Sequence, residues 1–340
     1  MASLFILFLS IILFGGGNVY GQNLALEKEL NIFSTRALPS LEKLFSDFTE
    51  ETNIRINKFE INEGELKARI LEGNVFGEID LYLTSGVLNI LEAEKLQLFE
   101  EFYSPLLEET IPQNLMSPAG NWSGISYWPR VIIYNKALID PVDVLNYEDL
   151  SKANFKNLVC LPPSSHHSNI SLLSSLIENL GIEKALAWAR ALKSNLARDP
   201  QGGEIDQIIS VNVGECGLAL VDYSYYLKVL SKENITIEGV EVNIGVIFPN
   251  QGNRGSFVNI SVAGLIKQAP KRENAIRFLL YLSTLNTQNF YAKATYEYPV
   301  NNFVLNSQNF FKFKMDDINI SDLEKNVELA KEILNEVGWN

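Results

Sequence analysis

The chain has 340 residues, 46% of them apolar and 20% charged, with a formal net charge of −13 at pH 7. That length exceeds what one core ordinarily uses, so two lobes are expected. The acidic balance and the scattered Lys and Arg exclude a nucleic-acid partner, which needs a basic excess to neutralise phosphates.

In chain order, the first segment is an export signal by pattern. The run from Leu4 to Phe14 is apolar apart from Ser10. It is too short to span a bilayer and fits a secretory h-region. Small residues follow, Gly15-Gly16-Gly17 and then Val19-Tyr20-Gly21, so cleavage is expected after Gly21. The segment before the run has no Lys or Arg, which departs from the usual signal, and a buried N-terminal strand is the alternative. No Cys follows the run, so no lipid anchor is expected, and no other stretch is long enough for a transmembrane helix.

Beyond the signal, short strands alternate with amphipathic helices. Leu30 to Phe33 reads as a strand; Leu41, Leu44, Phe45 and Phe48 recur at helical spacing. Ile54 to Phe59 and Ile79 to Leu83 are further strands, with a helix at Leu66, Ile70 and Leu71 between them. The βαβα order predicts a mostly parallel sheet with helices on both faces. The grammar restarts at Val131 to Tyr134. Strands follow at Leu158 to Leu161, Leu218 to Val221 and Val258 to Ala263, with helices over Leu172 to Leu180, Ile182 to Leu196 and Arg272 to Leu282. Ser321 and Glu324 read as a capping box opening a C-terminal helix. The expected organisation is α/β, a two-lobed periplasmic-binding-protein-like fold of type II. Two crossing strands form its hinge, and a ligand cleft lies between the lobes. The boundaries expected are signal 1–21, first lobe 22–129 plus 258–300, second lobe 130–257, and a packing C-terminal segment 301–340.

Cys160 and Cys216 permit one disulfide in an exported protein; two separate buried thiols are the alternative. Asn-X-Ser/Thr sequons at Asn121, Asn169, Asn234, Asn259 and Asn319 read as chance in an Asn-rich chain. There is no Gly-x-Ser-x-Gly elbow, phosphate loop, His-Glu-x-x-His or Cys-x-x-Cys pattern, so no enzyme and no required cofactor are expected. The histidines, His166 and His167, adjoin a turn just before a helix; they are metal or anion ligands on one reading and polar loop positions on the other.

Several stretches, in order along nearly the whole mature chain, resemble the periplasmic ferric-ion-binding proteins of ABC importers, in particular the iron-deficiency-induced subgroup. They are Arg130-Val131-Ile132-Ile133-Tyr134-Asn135-Lys136, the run from Gln201 to Ile208, Phe248-Pro249-Asn250-Gln251-Gly252-Asn253-Arg254-Gly255 and Tyr296-Glu297-Tyr298-Pro299-Val300. The resemblance implies a periplasmic solute-binding protein, expected to be a monomer. It would close its lobes on a ligand and deliver it to an ABC permease in the inner membrane.

It also implies Fe³⁺ held by phenolates, a hard ion on hard oxygen donors. Most positions of that ligand set differ here. Ala37 and Leu38 stand where a His-Tyr pair is expected, Trp128 where a supporting Arg is expected, and Ser168 where a second-lobe Tyr is expected. The Tyr pair after Leu218 to Val221 falls on Ser224 and Tyr225. Tyr225 alone keeps its place, with Tyr226 and Tyr223 beside it as substitutes if iron is bound. The replacements suit a small organic solute instead. Trp128 and Tyr225 would serve as walls, and Arg36, Arg130, His167, Ser168 and Ser224 as polar contacts.

Overall fold

A computed structural model describes residues 28–36, 41–231, 242–307 and 310–339. The expected signal over 1–21, the positions Ala37 and Leu38, and the Asn234 sequon lie outside the described residues.

The elements run in the order β1 (Glu29–Ser34), α1 (Glu42–Thr52), β2 (Arg55–Glu60), α2 (Glu63–Leu71), β3 (Leu81–Ser85), α3 (Val87–Lys95), α4 (Pro105–Thr110), β4 (Trp122–Asn135), β5 (Val159–Cys160), α5 (His167–Leu180), α6 (Ile182–Ser194), α7 (Glu204–Asn212), β6 (Leu218–Asp222), α8 (Tyr223–Ser231), β7 (Ile244–Ile247), β8 (Val258–Leu265), α9 (Arg272–Leu282), α10 (Leu285–Thr295), β9 (Tyr298–Pro299), α11 (Asn302–Ser307) and α12 (Glu324–Glu336). The strand order is β2-β1-β3-β8-β4-β6-β5, with β7 and β9 each pairing with β4.

The strands are two-faced because alternate side chains point to opposite sides of a pleated sheet. In the first lobe Leu30, Ile32, Leu81, Leu83, Ala263 and Leu265 pack under α1, α9 and α10. Their neighbours Phe33, Tyr82 and Val262 face α2 and α3. Phe48 of α1 meets Phe278 of α9 edge to face at 4.9 Å; truncating either ring to Ala costs about 3–5 kcal/mol. The second lobe repeats the scheme. Val131, Ile133, Ala219 and Val221 face α7 and α8, while Ile132, Leu218 and Leu220 face α5 and α6.

Strand β4 belongs to both lobes. Its residues up to Pro129 pair with β8, and from Arg130 onward they pair with β6 and β7. The return passes from β7 through residues 248–257 into β8. Gly255 sits on this return with φ of +100°, and a Cβ there would lie 2.6 Å from the Met315 backbone, so only glycine fits. The mostly parallel sheet expected from the βαβα order is not what forms. Among the named strands of the described residues, parallel pairing is confined to β1 with β2 and β3, and to β5 with β6. A chain that crosses the hinge and comes back must pair antiparallel, and β8 with β3 and β4 does so.

Cys160 and Cys216 form the disulfide, with a Cα–Cα distance of 5.9 Å, inside the second-lobe core. The C-terminal segment packs on α5 and α6. Asn326 Nδ2 donates to Glu178 Oε2 at 2.8 Å, and Trp339 Nε1 donates to the Ala189 carbonyl at 3.1 Å. The Ser321 capping box does not form: Asn319 caps the preceding turn, and the Ser321 hydroxyl instead donates to Glu94 of α3 at 3.1 Å. Asn169 and Asn259 are buried, which fits the chance reading of their sequons.

Candidate functional site

A buried row, Ser126, Trp128 and Arg130, lies on one face of β4 where the strand passes between lobes. Each end of the row is held by a charge cluster.

At the first-lobe end, the loop after β1 brings in Arg36. Its Nη2 donates to Glu297 Oε1 at 2.6 Å, Nη1 donates to Glu297 Oε2 at 3.2 Å, and Nη1 also donates to the Ser261 hydroxyl. Ser126 Oγ donates to the same carboxylate at 2.5 Å, and the guanidinium lies 5.3 Å from the Tyr291 ring. Burial disfavours the Arg36 charge, but Glu297 outweighs it and holds the pKa above the ordinary value. Burial pushes the Tyr291 phenol up to about 12.

At the second-lobe end, Arg130 is fully buried. Nη1 donates to Glu204 Oε1 at 2.5 Å, at the start of α7, and to Asp222 Oδ1 at 2.9 Å, at the end of β6. The Asp222 amide donates to Glu204 Oε2 at 2.8 Å, and Ser168 Oγ, in the first turn of α5, donates to Asp222 Oδ2 at 3.2 Å. Burial, with the neighbouring Asp222, pushes the Glu204 carboxyl up to about 7. Burial, reinforced by Arg130, pushes His166 down to about 4, so its imidazole is neutral near pH 7.

Between the clusters stands Tyr225 of α8. Its pKa is raised by burial first and then by the charges of Asp222, Glu204 and Glu297. Lys228, one turn on, places its ammonium 4.9 Å from the Tyr225 ring centroid. Burial lowers the Lys228 pKa, and Arg36 adds to the lowering.

The two ends differ in one respect. Nη1 and Nη2 of Arg36 are both bonded, whereas Arg130 Nε and Nη2, Trp128 Nε1 and His166 Nδ1 are buried with no hydrogen-bond partner. Trp128 is 7% exposed and Arg130 0%. Buried N–H donors without acceptors are costly, and a carboxylate satisfies several at once.

The structure thus brings together Arg36, Trp128, Arg130, Ser168 and Tyr225 of the expected residues, with Ser224 buried in the adjoining turn. It separates two others. His167 lines a chamber beside α3. Tyr226 faces the second-lobe core: it is packed with Val131, Ile133 and Val229 and stacked on Tyr223 at 5.8 Å. Consecutive residues of a helix point about 100° apart, so turning Tyr225 to the cleft turns Tyr226 to the core. Tyr223 is likewise taken up by Phe248 at 5.0 Å. Among the described residues no group of three His, Cys, Asp or Glu side chains is placed to hold a metal ion. Glu204, Asp222, Glu297 and Lys228 were not singled out from sequence. Glu204 and Glu297 lay within stretches carrying the resemblance, and only their charge marked them.

A two-lobed α/β molecule with a polar floor where its crossing strand changes lobes is a solute-binding protein of the cleft-closing kind. The chain belongs to the family described as bacterial extracellular solute-binding proteins, which matches residues 80–318. It is 37% identical over 316 residues to iron uptake protein A1 of Synechocystis, covering 92% of this chain and 88% of that one. It superposes on a Trichodesmium protein solved with iron and citrate ligands with a TM-score of 0.85 and 33% identity, covering 92% of this chain and all of that one. The ferric-binding protein of Campylobacter jejuni gives a TM-score of 0.80 at 33% identity, over 91% of this chain and 99% of that one. The expected family, fold and importer role are therefore correct.

Proposed function

We propose that this protein captures a small carboxylate-bearing organic solute between its lobes, outside the inner membrane, and hands it as a monomer to an ABC permease. Ferric iron, the cargo that the names of the relatives indicate, would enter as a chelate of such a carboxylate and not on protein phenolates. The observation that carries this reading is the set of buried, unpartnered donors on Trp128 and Arg130. A carboxylate placed there would accept from both side chains beside the first turn of α5. Tyr225 is a poor sole anchor for Fe³⁺, because one phenolate supplies few of the hard oxygen donors the ion needs and an ammonium lies 4.9 Å from its ring. In this reading His167 and Ser224 do not touch the solute, and Arg36 orders the first-lobe wall.

The strand pairing supports lobe boundaries at 129/130 and 257/258, with 22–129 plus 258–300 as the first lobe, 130–257 as the second and 301–340 as the packing segment. Closure then proceeds by rotation at β4 and the 248–257 return. Calorimetric titration with citrate, ferric citrate and ferric nitrilotriacetate tests the reading. Binding of citrate, free or as the chelate, without a visible phenolate band supports it. Iron taken from nitrilotriacetate with a strong visible band that disappears in Tyr225→Phe would restore direct ferric binding.

A further inference from the structure

A second cavity lies away from the cleft floor. Helices α2 and α3 of the first lobe, the start of α5 in the second lobe and the C-terminal α12 surround a chamber of about 590 Å³. Small-molecule sites are commonly of this size, roughly 300–1,000 Å³. None of Arg36, Trp128, Arg130 or Tyr225 lines it. Its lining is therefore distinct from the row on β4.

Its chemistry is divided. The wall is aliphatic: Leu66, Leu88, Leu91, Leu96, Ile170 and Val327. Charges on the lining come in opposite pairs. Lys67 meets Glu92 at 2.8 Å, Lys95 meets Glu324 at 3.6 Å, and Lys331 meets Glu328 at 2.9 Å. A ligand with a single charge meets equal numbers of both signs and gains little from them. A ligand carrying an ammonium beside a carboxylate can lie between a paired Lys and Glu and match both, while an apolar side group fills the aliphatic part.

We propose that this chamber binds a small zwitterion with an apolar side group, of the chemical class of the hydrophobic amino acids. The lining comes from both lobes, from α3 on one side and α5 with α12 on the other. An occupant therefore touches both halves of the hinge. Its binding is linked to closure on the cleft solute, and each ligand changes the affinity for the other by the same factor.

The test is calorimetric titration of the full chain with L-phenylalanine, 3-phenylpropionate and phenethylamine, which share one ring and differ only in charge. The expected result is a Kd for phenylalanine below about 1 mM, at least about tenfold tighter than for either singly charged analogue. Val327→Trp fills the chamber from α12 and is expected to weaken phenylalanine at least about tenfold; Leu88→Trp, from the opposite wall, gives the same reading if the first variant fails to fold. Arg130→Lys, which alters the cleft floor alone, is expected to leave phenylalanine binding to the empty protein unchanged. No binding of phenylalanine up to about 10 mM, equal binding of the analogues, or binding unaffected by filling the chamber would each overturn the proposal. Loss of phenylalanine in Arg130→Lys would overturn it too, by moving the ligand to the cleft.

Discussion

The two charge clusters at the ends of the β4 row are built from the same parts and do different things. At the first-lobe end one guanidinium meets one carboxylate through two bonds, with two hydroxyls completing the set. At the second-lobe end one guanidinium faces two carboxylates through a single nitrogen and keeps two nitrogens spare. A closed network rigidifies a wall, whereas buried donors without partners favour a group that accepts from them. The residue type, Arg, is the same; the two clusters differ in the number of donors left over.

The comparison breaks first, and with the largest effect, at Arg36. Arg36→Ala leaves Glu297 buried without its cation, so unfolding free energy should fall by about 3–5 kcal/mol. Citrate affinity should change by less than about threefold once the protein is folded. Urea unfolding and calorimetry read the two quantities. A large loss of affinity with little loss of stability would show that Arg36 belongs to the site. Arg130→Lys does the converse. It keeps a positive charge for Glu204 and Asp222 and removes the planar fork, so citrate affinity should fall by about 10–100-fold with only a modest stability change.

The pH dependence sharpens the contrast, because the second-lobe cluster holds two groups displaced in opposite senses. His166 is depressed to about 4 from its ordinary 6.5, so the stability it contributes is present above 6.5 and is lost as pH falls towards 4. Glu204 is raised to about 7, so its contribution is present below the ordinary carboxylate value of 4.5 and is lost as pH rises through 7. The two slopes oppose each other in the intact protein. In His166→Gln the opposing slope is gone, and stability should fall by about 3 kcal/mol between pH 4.5 and 7.5 as Glu204 ionises. A flat profile in that variant would mean that Glu204 is not perturbed. The smallest effect belongs to Trp128→Phe. Removing an unpartnered buried donor should leave the empty protein as stable or slightly more so, yet weaken citrate by about 1 kcal/mol. A loss of stability would indicate that the indole N–H has a partner in the empty protein.

Much of the fold was legible because periodicity reports burial directly. The α1 positions Leu44, Phe45 and Phe48 and the alternation through β1 and β3 could be read without any partner being known. The length of β4 could not. Ser123, Gly124, Ser126 and Pro129 interrupt its apolar pattern, since this part of the strand lines a polar floor and changes sheets. Sheet polarity was misread because a hinge crossed in both directions leaves no local trace. In the site, the positions Trp128, Arg130 and Tyr225 were legible from their place along the chain. Their partners were not: Glu204 and Asp222 lie 74 and 92 residues from Arg130, and Glu297 lies 261 residues from Arg36. Which of the neighbouring tyrosines turns from the core could not be read from adjacency, because helix rotation decides it.

The central claim is that the spare donors of Arg130 and Trp128 receive a carboxylate. A crystal structure of the protein grown with ferric citrate examines it most directly. The account predicts a citrate carboxylate oxygen within hydrogen-bonding distance of Arg130 Nη2 and Trp128 Nε1, with any iron held by citrate oxygens. A ferric ion ligated by the Tyr225 phenolate, with no carboxylate at Arg130, would contradict it.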